Sequence, residues 1–378
     1  APDVSFFASL SPAQYITKMQ HPVLRRVKML DIMAEMDLLK LNHEYRLQIM
    51  QGDVHRKLLH IYPDVHFSLV DLSLNKIDDI YDSIFIMNML SAMSQVDFYL
   101  YQNQQASGRM IFTVKNDFMI SALLVNPDRC MSVTISSNEK NCNPINHGIK
   151  DRCTRESLLC RRTSMKEMLS SHDYMHSILS LHSKWGIGHM TEHFLPDDLF
   201  HEILDLLKSS NDELFFDEDH LCYLHSMTQR TLAESEIDLF IHCQALSDLV
   251  VDGNLDFYDQ KVHLTLSQRK KYFNHLLHVF ETNSNLTFKL AKEPMILDFK
   301  YQTNQCIFLS DQFSYIRLNT YNWANNLAII NHPNLKHMFD RFFNAVWNDA
   351  TSELLSDYSE IHSFFIHIIQ QINILSEI

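Results

Sequence analysis

The side chains best suited to chemistry crowd one short stretch. His189, Glu192, His193 and His201 lie close together. His189 and His193 are four apart, so on a helix they would share a face, as metal-ligating histidines do. With acidic neighbours they would suit a metal-dependent hydrolase. A second set is Cys222 and His225, three apart, with His242 and Cys243 at the end of a predicted strand. The chain holds 22 histidines, so pairs at this spacing arise by chance. Hydrogen-bonded or solvent-facing imidazoles and packed thiols are the simpler reading. No metal ligand, catalytic residue or cofactor is therefore assigned. GxSxG, HExxH, GxGxxG and GxxxxGK[ST] are all absent from the sequence.

The second chemical feature is charge. Between Lys140 and Lys166 lie Lys140, Lys150, Arg152, Arg155, Arg161, Arg162 and Lys166, opposed within that window by Asp151 and Glu156. The guanidinium fork matches carboxylate and phosphate geometry. Arg152, Arg155, Arg161 and Arg162 are the candidate ligand-binding residues. The alternative is a solvated face paired with acids elsewhere.

These residues need elements to hold them. Ser11-Pro12 starts a helix. From Val23 to Gln51, Leu24, Val27, Leu30, Met33, Met36 and Leu39 recur near helical spacing. A further helix reaches about Tyr62, and another apolar segment covers Ile77 to Met93. Residues 1–95 are expected to be a helical region. After Val96 short runs of β-formers appear, at Val96–Tyr101, Met110–Val125 and Met131–Ser136. Asn138 to Gly148 reads as a polar loop, and helices return from Thr154 to about Leu181. Residues 96–195 form a mixed central region. In residues 196–378, helices alternate with strands at Ile237–His242, Leu286–Leu290, Cys306–Leu309, Tyr315–Leu318 and Leu327–Ile330, and Ser267 caps a helix to Glu281. The expected class is α+β and mainly helical, with an N-terminal helical region followed by mixed α/β regions.

Composition bounds the function. The 378 residues include 6 glycines, which argues against glycine-rich phosphate loops and favours helices over turn-rich all-β folds. Lys plus Arg is 32 against 46 Asp plus Glu, a net charge of −14, so the chain alone is not expected to grip duplex DNA. The seven cysteines match no zinc spacing. They are read as reduced thiols in a cytoplasmic protein. No apolar run reaches the length of a membrane span.

The stretch Asp238 to Trp347 carries a resemblance. It includes Asp238-Leu-Phe-Ile-His, Asp252-Gly-Asn-Leu-Asp-Phe, Leu264-Thr-Leu-Ser-Gln-Arg, Leu286-Thr-Phe-Lys-Leu and Asn331-His-Pro-Asn-Leu-Lys-His-Met-Phe-Asp-Arg-Phe-Phe-Asn-Ala-Val-Trp. It resembles the C-terminal sensory half of Gram-positive bacterial helix-turn-helix (XRE-like) transcriptional regulators. Its Phe-Phe-x-x-x-Trp helix is similar to the end of a phospholipase D-like module. The His-x-Lys motif of that module is missing here, so the resemblance implies a non-catalytic version. No helix-turn-helix signature lies within residues 1–95. The resemblance therefore implies a DNA-binding domain that lies upstream of Ala1 or has been removed.

The expected function is a ligand- or peptide-sensing regulatory domain of a bacterial transcriptional regulator, and not an enzyme. The alternatives are a metal-dependent hydrolase built on His189 and His193, or a helical interaction scaffold. The expected partners are a second copy, a small-molecule or peptide effector, and DNA only through a segment outside this chain, with no membrane. The dimer interface is placed on the last helix. Leu354, Ile361, Ile368 and Leu375 recur every seven residues there, with Tyr358, Phe365 and Ile372 as a second seam. The alternative is that this helix closes its own domain.

Overall fold

In residues 30–35 three successive side chains, Met33, Ala34 and Glu35, are all buried, which a one-sided helix does not allow. The segment is a strand. The structure, a computed structural model, describes residues 4–6, 30–40, 46, 65–70, 79–92, 96–102, 108–126, 129–210, 217–292, 304–319, 325–348 and 354–376. The chain divides into two compact units, residues 1–162 with 328–341, and residues 163–327 with 342–378.

The first unit is built on a mixed sheet. Its elements are β1 (Val4–Phe6), β2 (Leu30–Glu35), β3 (Val65–Val70), α1 (Asp79–Ala92), β4 (Val96–Gln102), β5 (Arg109–Val114), β6 (Phe118–Asn126), β7 (Arg129–Ser136), α2 (Glu139–Cys153) and β8 (Ser157–Thr163). The strands run in the order β1-β7-β6-β5-β2-β3-β4-β8. The centre, β2-β3-β4, is parallel, and the pairs β1–β7, β7–β6, β6–β5, β5–β2 and β4–β8 are antiparallel.

The expected mainly helical class is corrected here. β2 and β3 stand where a helical N-terminal region was expected. The cause is physical: interior parallel strands are covered on both faces and read as nearly continuous apolar runs, which spacing cannot tell from a buried helix. Two further segments change type. Residues 138–148 are not a loop, because Asn138 caps α2 by accepting from the Lys140 amide at 3.1 Å. The helical stretch expected from Thr154 contains β8. The helices expected from Ser11 and from about residue 53 to Tyr62 lie outside the described residues.

The second unit begins with two short helices, α3 (Met165–Ser170) and α4 (Asp173–Ile178), followed by β9 (His182–Ile187) and a 3-10 turn at Glu192–Phe194. Then come α5 (Asp197–Ser209), α6 (Glu218–Glu234), β10 (Glu236–His242), α7 (Cys243–Asp252), β11 (Asn254–Phe257), β12 (Gln260–His263), α8 (Leu266–Thr282), β13 (Leu286–Ala291), β14 (Cys306–Ser310) and β15 (Tyr315–Arg317). β16 (Leu327–Ile330) and α9 (Pro333–Trp347) fall where the chain divides, and β17 (Leu354–Leu355) and α10 (Tyr358–Ser376) close it. The sheet of this unit runs β15-β14-β9-β10-β13-β17. β9, β10 and β13 are parallel, and the other pairs are antiparallel.

Local chemistry explains the boundaries. Thr265, two residues before the expected Ser267, closes a capping box with Gln268 at the start of α8. α7 ends at Gly253 with φ +69, where a Cβ would collide with the Arg269 guanidinium. β11 and β12 form a hairpin whose two loop residues, Tyr258 and Asp259, have φ 47 and 68, the signature of a type I′ turn.

The homodimer seam on α10 is also corrected. Ile361, Phe365, Ile368 and Ile372 are buried in the core of their own unit, where α10 packs on α8. Phe365 meets Phe280 and Phe288 at ring distances of 6.2 and 5.9 Å. Of the rest of the proposed interface, Leu354 is half-buried and pairs with Ala291, and Tyr358 stacks on Phe280 while staying exposed. Leu375 is exposed. The apolar stripe is already filled, so a second copy is not needed to cover it. Among the described residues, no helix is long and apolar enough to cross a membrane.

Candidate functional site

In α2 the buried positions Cys142, Asn146, Ile149 and Cys153 recur at helical spacing. Three are apolar and one is an amide. Asn146 faces a cavity of about 300 Å³ within the first unit, lined also by Met33 from β2, Tyr101 from β4, Lys115, His147, Lys150, Cys153 and Thr154. Asn146 is 4% exposed, and among the described residues its side chain has no hydrogen-bond partner.

The turn between β5 and β6 brings Lys115 to this helix. Asn116, in the left-handed region at φ 64, exchanges two hydrogen bonds with Asn143. Its backbone amide donates to Asn143 Oδ1 at 2.8 Å, and Asn143 Nδ2 donates to Asn116 Oδ1 at 2.7 Å. Asn tolerates this conformation better than most residues, and the pair ties the turn to α2.

The cavity is cationic because its lining holds two lysines and no carboxylate. Buried Glu35 takes Arg109 at 2.5 Å and Arg152 at 2.6 Å. The same carboxylate oxygen is left without a directed hydrogen bond, so these contacts are ionic. Lys115 and Lys150 form no ion pair with any described residue. His147 Nδ1 donates to the Asn143 carbonyl at 2.8 Å, which leaves Nε2 for a ligand. Thr154 Oγ1 donates to the Asp151 carbonyl at 2.7 Å and keeps only acceptor capacity. Burial, helped by Cys153 and Tyr99, pushes the Tyr101 hydroxyl above its ordinary range, so it stays a neutral donor. The site can hold an anion between two lysines, with an amide and a phenol to orient it.

The four arginines singled out from sequence do not converge here. Arg152 is held by Glu35. Arg155 is exposed in the turn that follows α2. Arg161 and Arg162 are successive on β8 and point to opposite faces, with Arg162 buried. Lys150 belongs to the same basic run. Lys115 and Asn146 carried no sequence signal as read, because the helix that presents Asn146 was taken for a loop.

The histidine cluster is real but serves a different arrangement, in the second unit. Buried Arg317 on β15 donates to both oxygens of Glu192 at 2.9 and 2.8 Å and to both oxygens of Asp256 at 2.8 and 2.7 Å. His189 donates from Nε2 to Asp256 at 2.9 Å and from Nδ1 to the Asn304 carbonyl at 2.5 Å. Both partners are acceptors, so both nitrogens carry protons. Burial would lower this imidazole, but Cys306 and Asp256 outweigh it and hold it up at about 10. Burial likewise opposes the charge on Asp256, and Arg317 and His189 overcome it, holding the carboxyl down at about 2. Two cations and two carboxylates therefore balance.

Neighbouring groups complete the network. Tyr174 donates to Glu192 at 2.7 Å, and the Tyr258 amide donates to the same carboxylate at 3.1 Å. His193 lies between Thr191 at 2.8 Å and Tyr174 at 3.3 Å, and burial lowers it to about 4, so it is neutral. Asp259, on the hairpin turn, accepts from Asn326 at 2.9 Å, and burial beside Asp256 raises it to about 7. Arg317 could have been found from sequence: a charge inside the buried run Tyr315–Leu318 demands partners. His201 stands apart on α5, bonded to the Asp197 carbonyl. Among the described residues no group of three or more His, Cys, Asp and Glu is placed to hold a metal ion.

No family model matches the chain, and no curated protein does. Among solved structures, the chain matches phosphatidylserine synthase of Haemophilus influenzae Rd KW20 with 11% identity and a TM-score of 0.31, over 99% of this chain and 93% of that one. At that identity and score the likeness transfers neither fold nor chemistry.

Proposed function

We propose that this chain is a ligand-binding protein whose first unit takes a small anionic molecule in the cavity between α2 and the β5–β6 turn. The observation that carries the reading is the lining itself, where Asn146, an amide with no hydrogen-bond partner among the described residues, stands with Lys115 and Lys150, which form no ion pair with a described residue. An amide at a cavity wall can donate to or accept from a bound ligand. The volume sits at the low end of the range for small-molecule sites, about 300–1,000 Å³. The resemblance of residues 238–347, most of them in the second unit, to the sensory halves of bacterial transcriptional regulators supports a regulatory role for that unit. The seven cysteines form no disulfide, which supports a cytoplasmic setting.

Titration calorimetry of the full chain with inorganic phosphate tests the reading. Saturable binding that weakens as salt rises and that Lys150→Gln reduces about tenfold is expected. Binding unaffected by Lys150→Gln would contradict it.

A further inference from the structure

The cavity is lined by side chains of two kinds. Lys115, Lys150 and the free Nε2 of His147 supply cationic or polar groups, while buried Met33 and Cys153 and the half-buried Tyr101 ring supply an apolar wall. Arg109 and Arg152 both face the Glu35 carboxylate, and the charged side chains that line the cavity are Lys115 and Lys150.

That division discriminates between anions. A planar carboxylate is recognised best by the guanidinium fork, which reads two coplanar oxygens at once. Ammonium groups are compact point charges with rotatable donors, and they suit a tetrahedral group whose oxygens point in several directions. Two of them on different elements, Lys115 on the β5–β6 turn and Lys150 on α2, suit a dianion better than a monoanion. Asn146 adds an amide at the buried side, able to donate to an oxygen of the ligand or accept from it. A free inorganic anion would leave Met33 and the Tyr101 ring uncovered.

Resting on the reading of the cavity as an anion site, we propose that its ligand is a phosphate monoester with a small apolar or aromatic body. The phosphate sits between Lys115 and Lys150, and the body lies against Met33 and Tyr101. No bond is made or broken in this proposal.

Three probes separate the parts: phenyl phosphate, benzoate, which keeps the ring but carries a carboxylate, and inorganic phosphate, which lacks the ring. Each is titrated calorimetrically into the full chain and into Lys115→Gln, Lys150→Gln and Met33→Ala. Phenyl phosphate is expected to bind about tenfold tighter than benzoate, with each lysine change costing about tenfold. Met33→Ala is expected to weaken phenyl phosphate and leave inorganic phosphate unchanged. Benzoate binding as tightly as phenyl phosphate, with the lysine dependence kept, overturns the monoester and leaves the anion site standing. Inorganic phosphate binding as tightly as phenyl phosphate overturns the apolar body. Loss of the lysine dependence for every probe overturns both the monoester and the anion site. The lysines are exposed, so their glutamine variants keep the fold. Circular dichroism of each variant checks that.

Discussion

Arg317 shows how one residue can set the terms for its surroundings. It is fully buried, and every strong contact it makes is to Glu192 or Asp256. Removing one partner of a buried ion network leaves uncompensated charge, which costs about 3–5 kcal/mol. Arg317→Met is therefore expected to lower the urea unfolding free energy by about that amount. A loss below about 1 kcal/mol would show that Glu192 and Asp256 are held by something else. The pH dependence follows from the same residues. Asp256, held down to about 2, contributes stability above the ordinary carboxylate range and loses it as pH falls through about 2. His189, held up at about 10, contributes below about 6.5 and loses it as pH rises through about 10. Asp259 has the opposite sign to Asp256. Its folded value, about 7, lies above its ordinary 3.8, so its contribution is full below about 3.8 and is lost as pH rises to 7. Asp259→Asn, which keeps the acceptor for Asn326 and suits φ 68, is expected to stabilise the protein at pH 8 by on the order of 2–4 kcal/mol. The gap should close towards pH 4. Thermal melts of both proteins across that range decide it, and a gap independent of pH would refute the assignment.

At the scale of elements, α10 is the clearest case. Its buried stripe, Ile361, Phe365, Ile368 and Ile372, belongs to the core of the second unit. Phe365→Ala should cost about 3–5 kcal/mol, read as a shift in the urea midpoint with an unchanged slope. A surface helix waiting for a partner would instead show a change of less than about 1 kcal/mol. The seven-residue recurrence in this helix was legible, but spacing names the buried face and not what covers it. The same limit explains β2. Leu30, Met33 and Met36 fit a helical count, yet Met33, Ala34 and Glu35 are buried in succession because strands pack on both sides. Where a strand alternates with clear turn chemistry, as in β10, β13 and β14, residue types alone marked the element. The candidate site was legible only in part. The basic run pointed at α2 through Lys150, but arginine was weighted over lysine, and nothing in the sequence shows that Arg109 and Arg152 pair with Glu35. His189, Glu192 and His193 stood out by type, whereas Asp256 and Arg317, far away in the chain, complete the network only through the fold.

For the molecule as a whole, the central claim is that the first unit carries an amide for a ligand's sake. Among Cys142, Ile149 and Cys153, a leucine at position 146 would fit the stripe better than asparagine. A group kept for binding at the expense of stability gives a trade-off. The direct test is one variant measured twice. Asn146→Leu is expected to raise the unfolding free energy by about 1–2 kcal/mol while weakening phosphate binding at least about tenfold. A variant that is less stable than the parent and binds phosphate as well would contradict the account, because Asn146 would then be part of the core and not of a binding site.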